Sequence, residues 1–353
     1  MHETSRERIR THALELGFDA VGFARADVVH DEDFARWEAF VGQGMHGSME
    51  WLAAHRDARR RLDSEAILGG ARTVVCVAQR CAVRTREPAP TSVHDPVVGR
   101  IARYARGRDY HNHLKKKLQR LAGFVESVSP GVRARALCDT APVFERSLAA
   151  RAGLGFVGKN GMLIRPGMGS HLLLGEVVTT LPLEPDAPME RRCGDCSRCI
   201  DACPTQAFVG PWVLDPRRCI SYLTIEQRGA WESGLEPLVG GELFGCDACQ
   251  DACPFNAARA AFVEGGSRYE PLSQWREASV ASLLRASDVE LEAITQGSPL
   301  RRAGAQGLRR NLLVVAAGCV DPEREALLEQ CARSLQPAWL RDVALRALGR
   351  VLR

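Results

Sequence analysis

CGDCSRCIDACP, residues 193–204, is the stretch on which the reading of the chain turns. It spaces Cys193, Cys196, Cys199 and Cys203 as C-x2-C-x2-C-x3-C and closes on Pro204. Downstream, Cys246, Cys249 and Cys253 repeat part of the pattern and close on Pro254, with Cys219 standing alone between the two runs. Eight of the 13 cysteines therefore fall between residues 193 and 253, while Cys76, Cys81, Cys138, Cys319 and Cys331 are scattered among apolar neighbours. A secreted disulfide scaffold is shorter and more evenly stapled than this. The clustered eight read as metal ligands and the scattered five as small buried hydrophobes.

Two-residue gaps allow one tight loop to present three thiolates to adjacent corners of a cubane cluster. The fourth cysteine of such a run lies too far around the turn, and in two-cluster ferredoxins it ligates the other centre. On that rule Cys193, Cys196, Cys199 and Cys253 hold one 4Fe-4S cluster, and Cys219, Cys246, Cys249 and Cys203 hold the second. Paired C-x2-C units also bind structural zinc, but zinc requires neither a three-cysteine run nor the Cys-Pro that ends it. Two adjacent clusters make a one-electron relay, tunable over roughly −700 to +450 mV. A relay does no chemistry on a substrate, so the reaction is expected elsewhere in the chain.

Outward from this segment the chain divides by charge. Residues 1–182 carry a net +7, residues 183–262 a net −5 and residues 263–353 a net +2. A length of 353 residues suits two or three domains. These stretches are expected to be an α/β (α+β) catalytic domain, a ferredoxin-like two-cluster domain and a C-terminal α-helical domain, with the proline-rich 181–188 as the first boundary. In the first stretch, a helix capped by Ser5 is followed by strands at 20–24, 73–78 and 134–137, with helices at 111–128 and 142–152 between and after them. Residues 162–165 and 172–180 read as two strands joined by the turn-rich 166–170. From Pro299 onward the sequence is helical and weakly repetitive. Arg310, Leu313, Ala317 and Gly318 recur as Arg341, Ala344, Leu348 and Gly349 at a spacing of 31 residues, which suggests stacked helix pairs, with an ordinary helical bundle as the alternative. No apolar run approaches the roughly 18–20 residues of a membrane span. The charged first twenty residues hold no signal-peptide core, so a cytoplasmic location is expected.

Three features of the first domain bear on chemistry. Arg100, Arg103, Arg106, Arg108, Lys115, Lys116, Lys117 and Arg120 are opposed locally by Asp109 alone. They read first as a solvated helix face and, beside that, suit a polyanionic partner. GLGFVGKN, residues 153–160, matches G-x-G-x-x-G and nearly matches a phosphate-binding loop. Both motifs need a strand before and a helix after. The order here is reversed, so the glycines are expected to form a turn with Lys159 and Asn160 as its polar groups. Asp139 follows a strand in LCDTAPV, residues 137–143. It either caps the next helix or, desolvated in a cavity, has its pKa raised and donates a proton near neutrality.

Taken together, RYARGRDYH (103–111), DTAP (139–142), GLGFVGKN (153–160), the two cysteine runs with RCISYLT (218–224) between them, and PLRRAG (299–304) resemble the epoxyqueuosine reductase family. The resemblance spans nearly the whole chain. It implies a cobalamin-dependent oxidoreductase of tRNA modification. Such enzymes reduce epoxyqueuosine at the wobble position to queuosine, the last step of queuosine biosynthesis, and the epoxide oxygen leaves as water. It also implies a first domain holding base-off cobalamin without a protein lower ligand, a ferredoxin-like middle domain with two 4Fe-4S clusters, and a HEAT-like repeat domain that binds tRNA. Carried over residue by residue, Asp139 matches the family's proton donor. Arg61, Lys159, Asn160, Ser221 and Asp247 join Asp139 at positions lining the cobalamin pocket. Around Arg61 the stretch RRRLD, residues 59–63, lacks the proline that usually follows the aspartate, and Phe156 and Gly161 stand where Trp and Thr are commoner. Arg301, Arg302, Arg309 and Arg310, with the basic stretch 100–120, are expected to grip anticodon-stem phosphates. The implied partners are tRNA and a low-potential electron donor, with no membrane and a monomeric chain. Two other classes share part of the pattern. A reductive dehalogenase-like cobalamin enzyme usually carries a twin-arginine leader, which is not seen here. A non-catalytic ferredoxin-type electron-transfer protein needs neither cobalamin nor a proton donor.

Overall fold

The computed structural model describes residues 4–29, 31–84, 91–95, 97–232, 234–264 and 268–352. Four strands form the main sheet in the spatial order Ala20–Arg25, Thr73–Arg80, Leu172–Thr179, Ala134–Leu137. Every neighbouring pair is antiparallel. Interleaved helices and strands suggest parallel crossovers, but here the helices cover an antiparallel sheet, which makes the domain α+β. Helices lie on both faces. Phe23, Val75, Val77 and Val177 pack on the helices Ser5–Glu15 and His111–Ser127 through Ile9, Ala13, Leu114, Leu118 and Leu121. On the other face Val74, Cys76, Ala78 and Val178 meet Leu148 and Ala149 of the helix Glu145–Arg151. A strand buried on both sides has no polar face, which is why Thr73–Arg80 reads as an almost unbroken apolar run. Gly175 sets the depth of one layer: a Cβ there would lie 2.6 Å from Leu118 Cδ1.

Two local expectations change. Thr4, not Ser5, caps the first helix, because its side chain accepts from Glu7 N while the Glu7 carboxylate returns to the Thr4 backbone. Leu163–Ile164 pairs with Phe156–Val157 instead of joining the Leu172 strand. GLGFVGKN thus opens a hairpin, closed by Gly158 N donating to Met162 O at 2.9 Å. Its arms touch backbone to backbone, since a Cβ on Gly155 would sit 2.4 Å from Ile164 O.

The cysteine-rich segment docks on that hairpin. Trp212 N donates to Lys159 O at 2.9 Å and Trp212 Nε1 to Val157 O at 3.1 Å. Its short helices Arg198–Asp201 and Ala248–Asp251, one inside each cysteine run, pack together. The helix Gly304–Ala317 is buried almost all round and forms the centre of the C-terminal core with Ala338–Val351 and Glu323–Ser334 against it. That core also takes Val93, Val98 and Ile101 from the first part of the chain and Leu243 and Phe244 from the middle. Arg100–Ile101 pairs in parallel with Glu242–Phe244. Among the described residues no helix is long and apolar enough to cross a membrane.

Candidate active site and cluster pair

Asp139 follows the strand Ala134–Leu137 and takes a left-handed φ of 52°. It does not cap the next helix, which starts at Glu145 with Phe144 at the cap position. Its Oδ2 lies 2.7 Å from His111 Nε2 and accepts from Tyr110 Oη at 3.1 Å. On the far side of the imidazole, Nδ1 lies 2.6 Å from Asp109 Oδ1. Flanked by Asp109 and Asp139, His111 has its pKa pushed up to about 9. The same contact, helped by Tyr110, holds Asp139 below the usual carboxylate range. This reverses the expected effect of desolvation. Paired electrostatics outweigh burial for a side chain that is 48% exposed, so near neutrality the shared proton resides on His111. Asp139 and Tyr110 stand at a cavity of about 230 Å³ lined also by Glu145, Met162, Leu172 and Leu174. Glu176 is fully buried in the sheet opposite Cys76 and Leu137. Neither of its carboxyl oxygens has a partner among the described residues, and burial pushes its pKa well up.

None of the eight clustered cysteines is in a disulfide. Cys193 and Cys253 pack together against Phe156, Ile164 and Phe255, and Cys199 is within electrostatic reach of Cys253, Cys193 and Cys196. Cys219 and Cys246 pack together against Ile220 and Tyr222. Cys249 is within reach of Cys219 and Cys203, and of Cys199 in the first set. Two groups of four thiols therefore lie side by side. Among the described residues no three or more His, Cys, Asp or Glu close on a single metal ion.

The other sequence candidates separate. Arg61 is half exposed and forks onto Asp63 at 2.9 and 2.7 Å. Lys159 Nζ turns to the first cysteine loop, donating to Gly194 O at 2.7 Å and Cys196 O at 3.0 Å. Ser221 contacts Cys219, and Asp247 Oδ2 accepts from Arg103 N at 2.8 Å. Asn160 is buried, with Oδ1 accepting from Met162 N at 3.1 Å and Nδ2 without a partner among the described residues. The late arginines divide as well. Arg301 and Arg302 are exposed, Arg302 pairing with Glu226 at 2.8 Å. Arg309 and Arg310 are buried, which removes them from the phosphate-gripping set. Arg309 donates to Leu284 O, Ala286 O and Asp288, and Arg310 to Gln227 O, Gly229 O and Leu223 O. The basic stretch 100–120 is thinned likewise. Arg103, Arg106 and Lys117 are buried and Arg100 pairs with Glu242, leaving Arg108, Lys115, Lys116 and Arg120 exposed.

Sequence reasoning gave no role to Tyr110, His111 or Glu145. The available signal was Asp109-x-His111 just ahead of a helix, a spacing that places a carboxylate on an imidazole.

A one-electron relay joined to a domain with its own acid–base couple is an iron–sulfur oxidoreductase, and residues 192–256 match the family model described as a 4Fe-4S double cluster binding domain. Residues 61–140 match the model described as Epoxyqueuosine reductase QueG, DUF1730. An epoxyqueuosine reductase of Gloeobacter violaceus is 43% identical over 307 residues, covering 86% of this chain and 93% of that protein. A crystal structure of epoxyqueuosine reductase with an epoxyqueuosine-modified tRNA-Tyr stem loop superposes with a TM-score of 0.87 at 30% identity, covering 98% of this chain and 90% of that one. A Bacillus subtilis epoxyqueuosine reductase whose catalytic aspartate loop is swung out of the active site also gives 0.87, at 28% identity and the same coverage of both chains. The chain belongs to the epoxyqueuosine reductase family.

Proposed function

We propose that this chain reduces epoxyqueuosine in the anticodon loop of tRNA to queuosine with cobalamin fed by the two clusters, and that Asp139 delivers the proton. The reaction consumes two electrons and two protons; the epoxide loses its oxygen as water and an alkene remains. Cobalamin, when bound, would supply two-electron reducing power at the substrate, and the cysteine-held clusters would be its source of single electrons. Cys193, Cys196, Cys199 and Cys253 hold one cluster, and Cys219, Cys246, Cys249 and Cys203 the other. Asn160 Nδ2 is a buried donor without an acceptor among the described residues; such a donor is costly to leave unpaired, and an amide-bearing ligand would satisfy it.

The observation that carries the acid assignment is the triad Asp109–His111–Asp139 at the cavity mouth. The first proton starts on His111 Nε2, passes to Asp139 Oδ2 and goes to the opening epoxide oxygen, while Tyr110 Oη orients the carboxylate; the second proton, which completes the departing water, comes from solvent. The Asp139 turn is read as the counterpart of the catalytic loop that is swung out in the Bacillus relative, and the tRNA complex of the second relative supports the substrate. Exposed Arg301 and Arg302 supply cations for the stem, and the C-terminal helices are read as the HEAT-like, tRNA-facing domain. The test is anaerobic turnover of a modified stem loop by protein reconstituted with iron, sulfide and cobalamin, followed by mass spectrometry of the nucleoside. Asp139→Asn is expected to lower turnover by at least about 100-fold with cofactor spectra intact. Full activity in that variant removes the acid role.

A further inference from the structure

Asp139 occupies a backbone region that disfavours residues with a Cβ, and such conformations persist only where the surroundings enforce them. The turn is closed in front by Thr140 N donating to Cys138 O. From behind, Asp139 N donates to Glu145 Oε1 at 2.6 Å. Glu145 is the first residue of the helix Glu145–Arg151, whose Leu148 and Ala149 are anchored on the sheet, so the acceptor sits on a rigid support. Two further carboxyl groups, Asp139 and Glu176, lie within electrostatic reach of Glu145. Asp139 and His111 face it from the turn and the long helix, Cys138 from the strand end, and Glu176 from the sheet. Arg146 beside it spends a donor on Gly161 O at 2.6 Å. Burial and the nearby Asp139 push the Glu145 pKa up to about 7.

We infer that Glu145 is the positioning residue for Asp139: its carboxylate holds the Asp139 N–H and so keeps the turn in the left-handed form that aims Asp139 at His111 and the cavity. With the acceptor gone, the turn relaxes to an ordinary φ and Asp139 leaves the triad. The consequence for catalysis rests on the reading of Asp139 as proton source; the clamp itself does not.

The test compares Glu145→Gln, which keeps a carbonyl acceptor, with Glu145→Met, which keeps length and loses it. Hydrogen exchange is read on residues 138–141 in cluster-loaded protein without cobalamin, where substrate chemistry plays no part. Exchange there is expected to quicken at least about 10-fold in Glu145→Met and to stay near wild type in Glu145→Gln. In turnover, Glu145→Met is expected to lose roughly 10- to 100-fold in kcat with KM little changed, the cost of a misplaced group, and Glu145→Gln to be rescued. Equal exchange in wild type and Glu145→Met overturns the clamp, as does a Glu145→Gln variant that exchanges as fast as Glu145→Met. Should Asp139→Asn turn over normally while exchange behaves as described, the acid reading fails and the clamp stands.

Discussion

At the residue scale the decisive group is His111. Its pKa is raised to about 9 by Asp109 and Asp139, so the stabilisation it brings is fully present below its unfolded value of about 6.5. That contribution is lost as pH rises through about 9. On the proposed reading of Asp139 as proton donor, the proton that His111 lends it is available over the same window. Turnover is therefore expected to fall on an alkaline limb near pH 9, and His111→Asn to erase that limb while depressing the plateau; a pH profile of kcat is the measurement. Asp139 carries the opposite sign: its depressed pKa stabilises the pair above its unfolded value and is lost as pH falls through the lowered one. Asp139 could be singled out from its place after a strand and before Pro142. The direction of its pKa could not, because His111 reaches it from 28 positions away in sequence.

At the scale of elements, the helix Gly304–Ala317 shows how burial sorts chemically identical side chains. Arg301 and Arg302 precede it and face solvent, while Arg309 and Arg310 lie inside it at 4% and 1% exposure. Arg310 lies 4.6 Å over Trp231 and satisfies three backbone carbonyls of residues 223–229. Arg310→Met leaves those carbonyls without donors at about 1–3 kcal/mol each, so a stability loss of roughly 3 kcal/mol or more is expected in denaturant unfolding. Arg301→Glu with Arg302→Glu is expected to leave the fold intact and weaken tRNA stem-loop binding by about 10-fold or more, with a shallower dependence on salt; unchanged affinity removes this patch from the interface. The four arginines look alike in sequence because a run of cations has no periodicity to mark which of them face inward. The hairpin at Phe156–Ile164 was half legible: the missing helix after Gly158-Lys159-Asn160 excluded a phosphate loop, but the choice of strand partner depended on the contact at Gly155.

At the scale of the whole molecule, three stretches of chain share one core around Leu243, Phe244, Val98 and Leu312, and the triad depends on that sharing. Asp109 N donates to Gly297 O at 2.9 Å, and a Cβ on Gly107 would lie 2.2 Å from Arg268 O, so the C-terminal part braces the segment that carries His111. Anaerobically purified protein is expected to hold about eight iron and eight sulfide per chain; zinc without sulfide would sink the cluster assignment. The cysteine runs disclosed the relay, and the ordered blocks from Arg103 to Gly304 disclosed the family, because ligand spacing and short motifs are local properties written directly in residue order. Tertiary structure alone decided that the sheet is antiparallel, that Asp139 meets His111 by its side chain and Glu145 by its N–H, and that only some of the basic residues are exposed. Each of those outcomes depends on which distant groups are brought within a few ångströms and shielded from water.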